Sequence, residues 1–160
     1  MPNNNNNKAT IVVFSGEMDK IFAAFIIATG AAASGMDVTM FFTFWGLKAI
    51  QKGNLTGEGF LGKMIGLMNR GGIERLGPSH FNFGGIGREL FKKMMRDKNV
   101  VGLSELLETA IDLDVKLIAC KMSMDVMEIS REDLIDEVSD VVGVAAYIKE
   151  ASESGITLFM

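Results

Sequence analysis

Val115-Lys116-Leu117-Ile118-Ala119-Cys120-Lys121-Met122-Ser123-Met124-Asp125 is the stretch that decides how this 160-residue chain reads. A short apolar run ends at the only cysteine, and polar residues able to open a helix follow at once. In a parallel α/β sheet this strand end is where ligands bind and chemistry is done. Cys120 is therefore the first candidate for a reactive centre. The competing reading is that it only fills space, because free cysteine is among the most buried residue types.

Working outward, the neighbouring segments alternate between strand and helix. Upstream, Ser104 caps a helix whose core face is Leu106, Leu107, Ala110 and Ile111. Downstream, Ser130 caps a short turn at Arg131 to Ile135, and Val138 to Val142 reads as a fourth strand. A helix over Gly143 to Glu153 and an apolar last strand, Ile156 to Met160, complete the chain. Near the N-terminus Ala9 to Phe14 is a β-branched run suited to a strand covered on both faces. Ser15-Gly16 turns the chain into a helix over Met18 to Ala33, with Glu17 and Asp19 where a first turn favours negative charge. Ser34-Gly35 stops it, and Asp37 to Phe44 forms the second strand of a right-handed βαβ unit. The order predicts one α/β domain over residues 8–160, a three-layer α/β/α sandwich on a mainly parallel sheet of about five strands.

Residues 47–100 are too long for a plain crossover. Short helical patterns at Leu47 to Gln51, Phe60 to Asn69 and Ile86 to Met95 flank a glycine-rich stretch, and together they read as a helical insert or lid. Its Met and Phe side chains suit either a small satellite core or a surface that packs on a partner.

Bulk properties narrow the function classes. The formal net charge of −4 points away from nucleic acid as a partner. A single cysteine excludes an intramolecular disulfide and fits a reducing cytoplasm. Met1 to Asn7, largely asparagine, lacks the features of a signal peptide and reads as a disordered tail. Ile21 to Met36 carries no charge, but at 16 residues and rich in Ala and Gly it is short of the ~20 apolar residues a spanning helix needs. A buried helix followed by a buried strand is favoured, with membrane association left open.

Cys120 has Lys121 beside it and a helix start beyond it, two features that favour thiolate over thiol. A thiolate attacks sulfane sulfur to give a persulfide, or a peroxide to give sulfenic acid. With no second thiol to resolve a sulfenic acid, the sulfur-carrier chemistry fits better. Ser123 is placed to donate a hydrogen bond to the sulfur or to cap the helix. Ser15 and Gly16, ending the first strand, are candidates to hold an anion or persulfide if strands one and three are neighbours. The lone His80 has no metal-ligand company, and Gly84-Gly85-Ile86-Gly87 is a weak nucleotide signal because no clear strand precedes it. Met122, Met124 and Met127 read as packing residues, so no metal and no cofactor is expected.

Ala119-Cys120-Lys121-Met122-Ser123-Met124-Asp125-Val126-Met127 resembles the cysteine motif of the DsrE/DsrF-like family, in its peroxiredoxin-like branch. Val38 to Lys48, Phe83-Gly84-Gly85-Ile86-Gly87 with Met94-Met95, and Gly143-Val144-Ala145 resemble the same branch, so the likeness covers nearly the whole chain. It implies a DsrE-like α/β fold, an oligomer, and sulfur trafficking through a persulfide on Cys120. It also implies partners among TusA-type sulfur carriers and rhodanese-like domains. The Pro and Thr that precede a peroxidase cysteine are absent here. Glu128 departs from the pattern, where glycine is expected after Met127, and is expected to alter charge or shape beside the thiol.

Overall fold

The computed structural model describes residues 7–160, so the tail expected at 1–7 lies, apart from Asn7, outside the described residues. Five strands form one sheet: β1 (Lys8–Val13), β2 (Asp37–Phe42), β3 (Lys116–Cys120), β4 (Asp140–Val142) and β5 (Ile156–Phe159). Their order is β4-β3-β2-β1-β5, and every pairing is parallel. The strands thus step one way from β1 to β4, after which the chain returns to the far side of β1. With right-handed crossovers, that reversal requires the last helix to lie on the opposite face from the earlier ones.

The packing obeys this rule. Helices α1 (Met18–Ala33) and α4 (Leu103–Asp112) share a core with one face of the sheet, through Ile11, Met40, Phe42 and Leu117. Helix α1 contributes Met18, Ile21, Ala24, Phe25 and Ala28, a stripe at helical spacing, and Phe25 meets Phe42 at 6.3 Å between ring centroids. Each large side chain buried this way contributes roughly 1.5–3 kcal/mol. The other face carries Phe41, Cys120, Val12, Ile118 and Val142 under α6 (Val144–Ser152), which supplies Tyr147 and Ala151. The third layer is therefore this one helix.

Several local expectations hold and several shift. Gly35 ends α1 at φ +86°, a left-handed conformation that glycine adopts without penalty. Gly102 rather than Ser104 caps α4, because its extended backbone lets its N–H donate to the Glu105 carboxylate at 3.0 Å. Helix α5 (Lys121–Val126) starts directly after Cys120, as the polar residues that follow the strand allow. Strands one and three are not neighbours, since β2 lies between them.

Between β2 and α4 the chain forms a 3₁₀ helix (Phe44–Ile50), then α2 (Phe60–Met68) and α3 (Ile86–Asp97). Leu47, Ala49, Ile50 and Leu76 join the main core. Ile73 and Phe91 pack half-buried against that core, while most of the insert's other apolar residues face outward, among them Phe60 at 84% and Met68 at 80% exposure. They form no satellite core among the described residues. No helix among the described residues is long and apolar enough to cross a membrane.

Candidate functional site

Cys120 occupies the last position of β3 and the N-cap of α5, so strand and helix meet at the cysteine itself. Its side chain is 4% exposed, on the face covered by α6. Phe41 and Tyr147 stack in the same cluster, with centroids 4.7 Å apart and planes 15° from parallel. The thiol thus lies in a mainly apolar setting.

Polar groups reach it from two directions. The parallel register pairs Phe42 with Ala119, which brings Thr43, the next residue of the β2 line, level with Cys120. From α5, Ser123 is fully buried, and its hydroxyl lies 2.7 Å from that of Thr43. One hydroxyl proton fills the gap between the two oxygens, which leaves the other free to point at the sulfur. The chain can turn sharply after Thr43 only because Phe44 takes a left-handed φ of +46°.

Burial alone would push the Cys120 thiol up. The Ser123 hydroxyl and N–H, the Thr43 hydroxyl and the Met122 N–H outweigh that effect, and the thiol sits below its ordinary value. The neutral thiol makes no capping hydrogen bond to α5, yet the same N–H groups favour the charged thiolate. Such a group is suited to nucleophilic attack on sulfur when a partner reaches it.

The other sequence candidates are placed as follows. Ser123 stands at the sulfur. Lys121 turns along the helix to pair with the Asp125 carboxylate and is exposed, so its charge is directed away from the thiol. Ser15 and Gly16 stand two strands away, beyond β2, and Thr43 takes the place beside Cys120 that was expected of them. Gly16 instead packs against the 3₁₀ helix, where a Cβ would come within 2.5 Å of the Trp45 carbonyl oxygen. Glu128 does take the left-handed conformation expected of a glycine, with φ +51°. Its carboxylate accepts the N–H groups of Glu58 at 2.6 Å and Gly59 at 3.3 Å, so it anchors the start of α2 rather than altering the thiol's surroundings.

Thr43 is the residue that sequence reasoning missed. Its signal was positional: a hydroxyl just past the end of the strand that pairs with the cysteine strand. Among the described residues no group of three or more His, Cys, Asp or Glu side chains is placed to hold a metal ion.

Comparison with known proteins identifies relatives of the chain as a whole. The model of the DsrE/DsrF/DrsH-like family matches residues 5–159. The chain is 44% identical over 155 residues to the uncharacterized protein YrkE of Bacillus subtilis, covering 96% of each. It is 32% identical over 156 residues to the sulfur carrier protein DsrE2 of Allochromatium vinosum, covering 96% of this chain and 98% of that one. Two solved structures share the fold. The ychN protein from E. coli matches with a TM-score of 0.56 at 15% identity, over 96% of this chain and 99% of that one. MTH1491 from Methanobacterium thermoautotrophicum matches with a TM-score of 0.55 at 11% identity, over 97% of this chain and all of that one.

Proposed function

This chain belongs to the DsrE/DsrF/DrsH-like family, and from that premise we propose that it is a cytoplasmic sulfur carrier working through Cys120. The Cys120 thiolate attacks the outer sulfur of a donor persulfide, R–S–SH. The donor's S–S bond breaks, R–SH leaves with the proton, and Cys120–S–S⁻ remains. Transfer to an acceptor thiol is the same step in reverse, so no external oxidant or reductant is consumed. The observation that carries this reading is the convergence of Ser123 and Thr43 on a sulfur otherwise set among apolar side chains. Hydroxyl donors serve a thiolate or a terminal persulfide equally, whereas a space-filling cysteine has no use for them.

Ser123, Thr43 and the Met122 N–H hold the thiolate in this scheme, and Lys121, Ser15 and Gly16 take no direct part. Donor and acceptor are TusA-type sulfur carriers or rhodanese-like proteins. The outward Met and Phe side chains of α2 and α3 supply the contact surface for such a partner or for further copies in an oligomer. Mass spectrometry of intact protein after exposure to a sulfane donor tests the relay. Wild type gains one sulfur atom, and Cys120→Ser gains none.

A second reading follows from the burial of Cys120: an interaction module in which the cysteine is structural. It requires that iodoacetamide leave Cys120 untouched until the protein is denatured. Peroxide turnover with an added reductant distinguishes the remaining chemistry, that of a one-cysteine thiol peroxidase.

A further inference from the structure

We propose that the cleft lined by Lys48, Arg70, Arg75 and Arg88 is a binding site for a small polyvalent oxyanion, separate from Cys120. The cleft encloses about 280 Å³ and lies beside Gly16, where β1 gives way to α1, with Gly77 and Asn82 on its wall. In an open parallel sheet this is the end at which ligands bind. Four cationic side chains line it, and no carboxylate does.

These charges are poorly compensated. Ion pairs among the described residues engage Arg88 alone of the four, with Glu89 at 3.0 Å, and none involves Lys48, Arg70 or Arg75. Arg70 Nε donates to the Gly53 carbonyl at 2.7 Å, and Arg88 Nη1 to the Arg75 carbonyl at 3.2 Å. Those bonds orient the guanidinium groups and leave their charge in place. Lys48 is half-buried; burial draws its ammonium below the ordinary value, opposed only by the charge of nearby Glu17. Converging like charges repel, and a counterion relieves the cost.

The charge is also unevenly distributed along the chain, contrary to what the net value suggests. Residues 47–100 hold ten Lys and Arg against four Asp and Glu, while the remainder holds six against sixteen. The insert is therefore the basic part of an acidic protein, and four of its ten cations line this cleft. Arginine forks match tetrahedral oxyanions in geometry as well as charge. The volume falls below the ~300–1,000 Å³ of pockets for drug-sized ligands. It suits an ion such as phosphate, sulfate or thiosulfate, or the phosphate group of a larger molecule.

Titration calorimetry at constant ionic strength tests this, with inorganic phosphate, sulfate, thiosulfate and glycerol phosphate as probes and chloride as the reference. Wild type binds at least one polyvalent probe with a dissociation constant of about 1 mM or tighter. The double variant Arg70→Gln, Arg75→Gln weakens that binding by roughly tenfold or more, equivalent to about 1.4 kcal/mol. Lys93→Gln, Lys98→Gln removes the same charge outside the cleft and leaves binding unchanged, as does Cys120→Ser. Preference for glycerol phosphate over the inorganic ions identifies an organic phosphate as the source. Absence of binding by every probe, equal weakening in both double variants, or loss in Cys120→Ser overturns the proposal.

Discussion

The hydroxyl oxygens of Thr43 and Ser123 lie 2.7 Å apart, one from the end of the β2 line and one from the first turn of α5, beside the sulfur of Cys120. Neither segment makes the site alone. Removing the Ser123 hydroxyl withdraws a donor from the thiolate and leaves Thr43 unpaired. Ser123→Ala is expected to cost the charged form about 1.5 kcal/mol, the low end for a hydrogen bond to a charged group. That lowers the thiolate-to-thiol ratio at a given pH roughly tenfold. The pH profile of iodoacetamide labelling checks this: its midpoint moves upward in Ser123→Ala, and less far in Thr43→Val.

Access to the thiol depends on α6. Tyr147 stacks on Phe41, and its helix is the cover over the Cys120 face. Truncation to Tyr147→Ala removes the main docking contact, worth roughly 2–4 kcal/mol by analogy with other large-to-small changes. Local opening then becomes more frequent. Native-state labelling of Cys120 is expected to accelerate by about tenfold or more while the labelling rate in denaturant is unchanged. Tyr147→Phe, which keeps the stacked ring, stays near wild type.

Glu128 gives a test of how the insert is held. It accepts a left-handed backbone in order to receive two N–H groups at the start of α2. Substitution by glycine relieves the backbone and removes the anchor. Hydrogen exchange of residues 58–68 is expected to rise in Glu128→Gly, with the exchange of α1 and β1 to β3 unaltered. Glu128→Gln retains an acceptor oxygen and falls between the two.

Asp19 ties the start of α1 to the loop at Ser79. Burial by itself would raise its carboxyl, but the Ser79 hydroxyl and N–H draw it below the ordinary 3.8. A carboxylate held low in the folded state contributes stability above the unfolded value, and that contribution fades as pH falls toward the folded one. Asp19→Ala is therefore expected to lose about 1–2 kcal/mol at pH 7 in urea denaturation. The gap between variant and wild type narrows progressively as the pH is lowered below 3.8.

Much of the fold was legible in the sequence because its periodicities are strong. The apolar stripe of α1 and its glycine stop gave its bounds, and the β-branched strands gave a parallel sheet. Strand order was not legible: nothing in the residues near Ser15 or Cys120 says that β2 lies between them, and placing Ser15 and Gly16 at the thiol failed for that reason. Ser123 could be placed beside Cys120 because the two sit three residues apart across one strand-to-helix junction. Thr43 could not, because its nearness is a matter of register between strands some 75 residues apart. Lys121 illustrates a further limit, since adjacency in sequence says little about where a long side chain turns once Asp125 is one helical turn away. The basic cleft escaped notice because its cations are scattered from Lys48 to Arg88 and only the folded insert gathers them.

The central claim is that Cys120 carries sulfane sulfur, and intact-mass measurement after incubation with a low-molecular-weight persulfide tests it most directly. Wild type is expected to gain the mass of one sulfur atom, to lose it on addition of an acceptor thiol, and to show no gain once Cys120 is replaced by serine. No mass gain on wild type, or an equal gain on Cys120→Ser, would contradict the account.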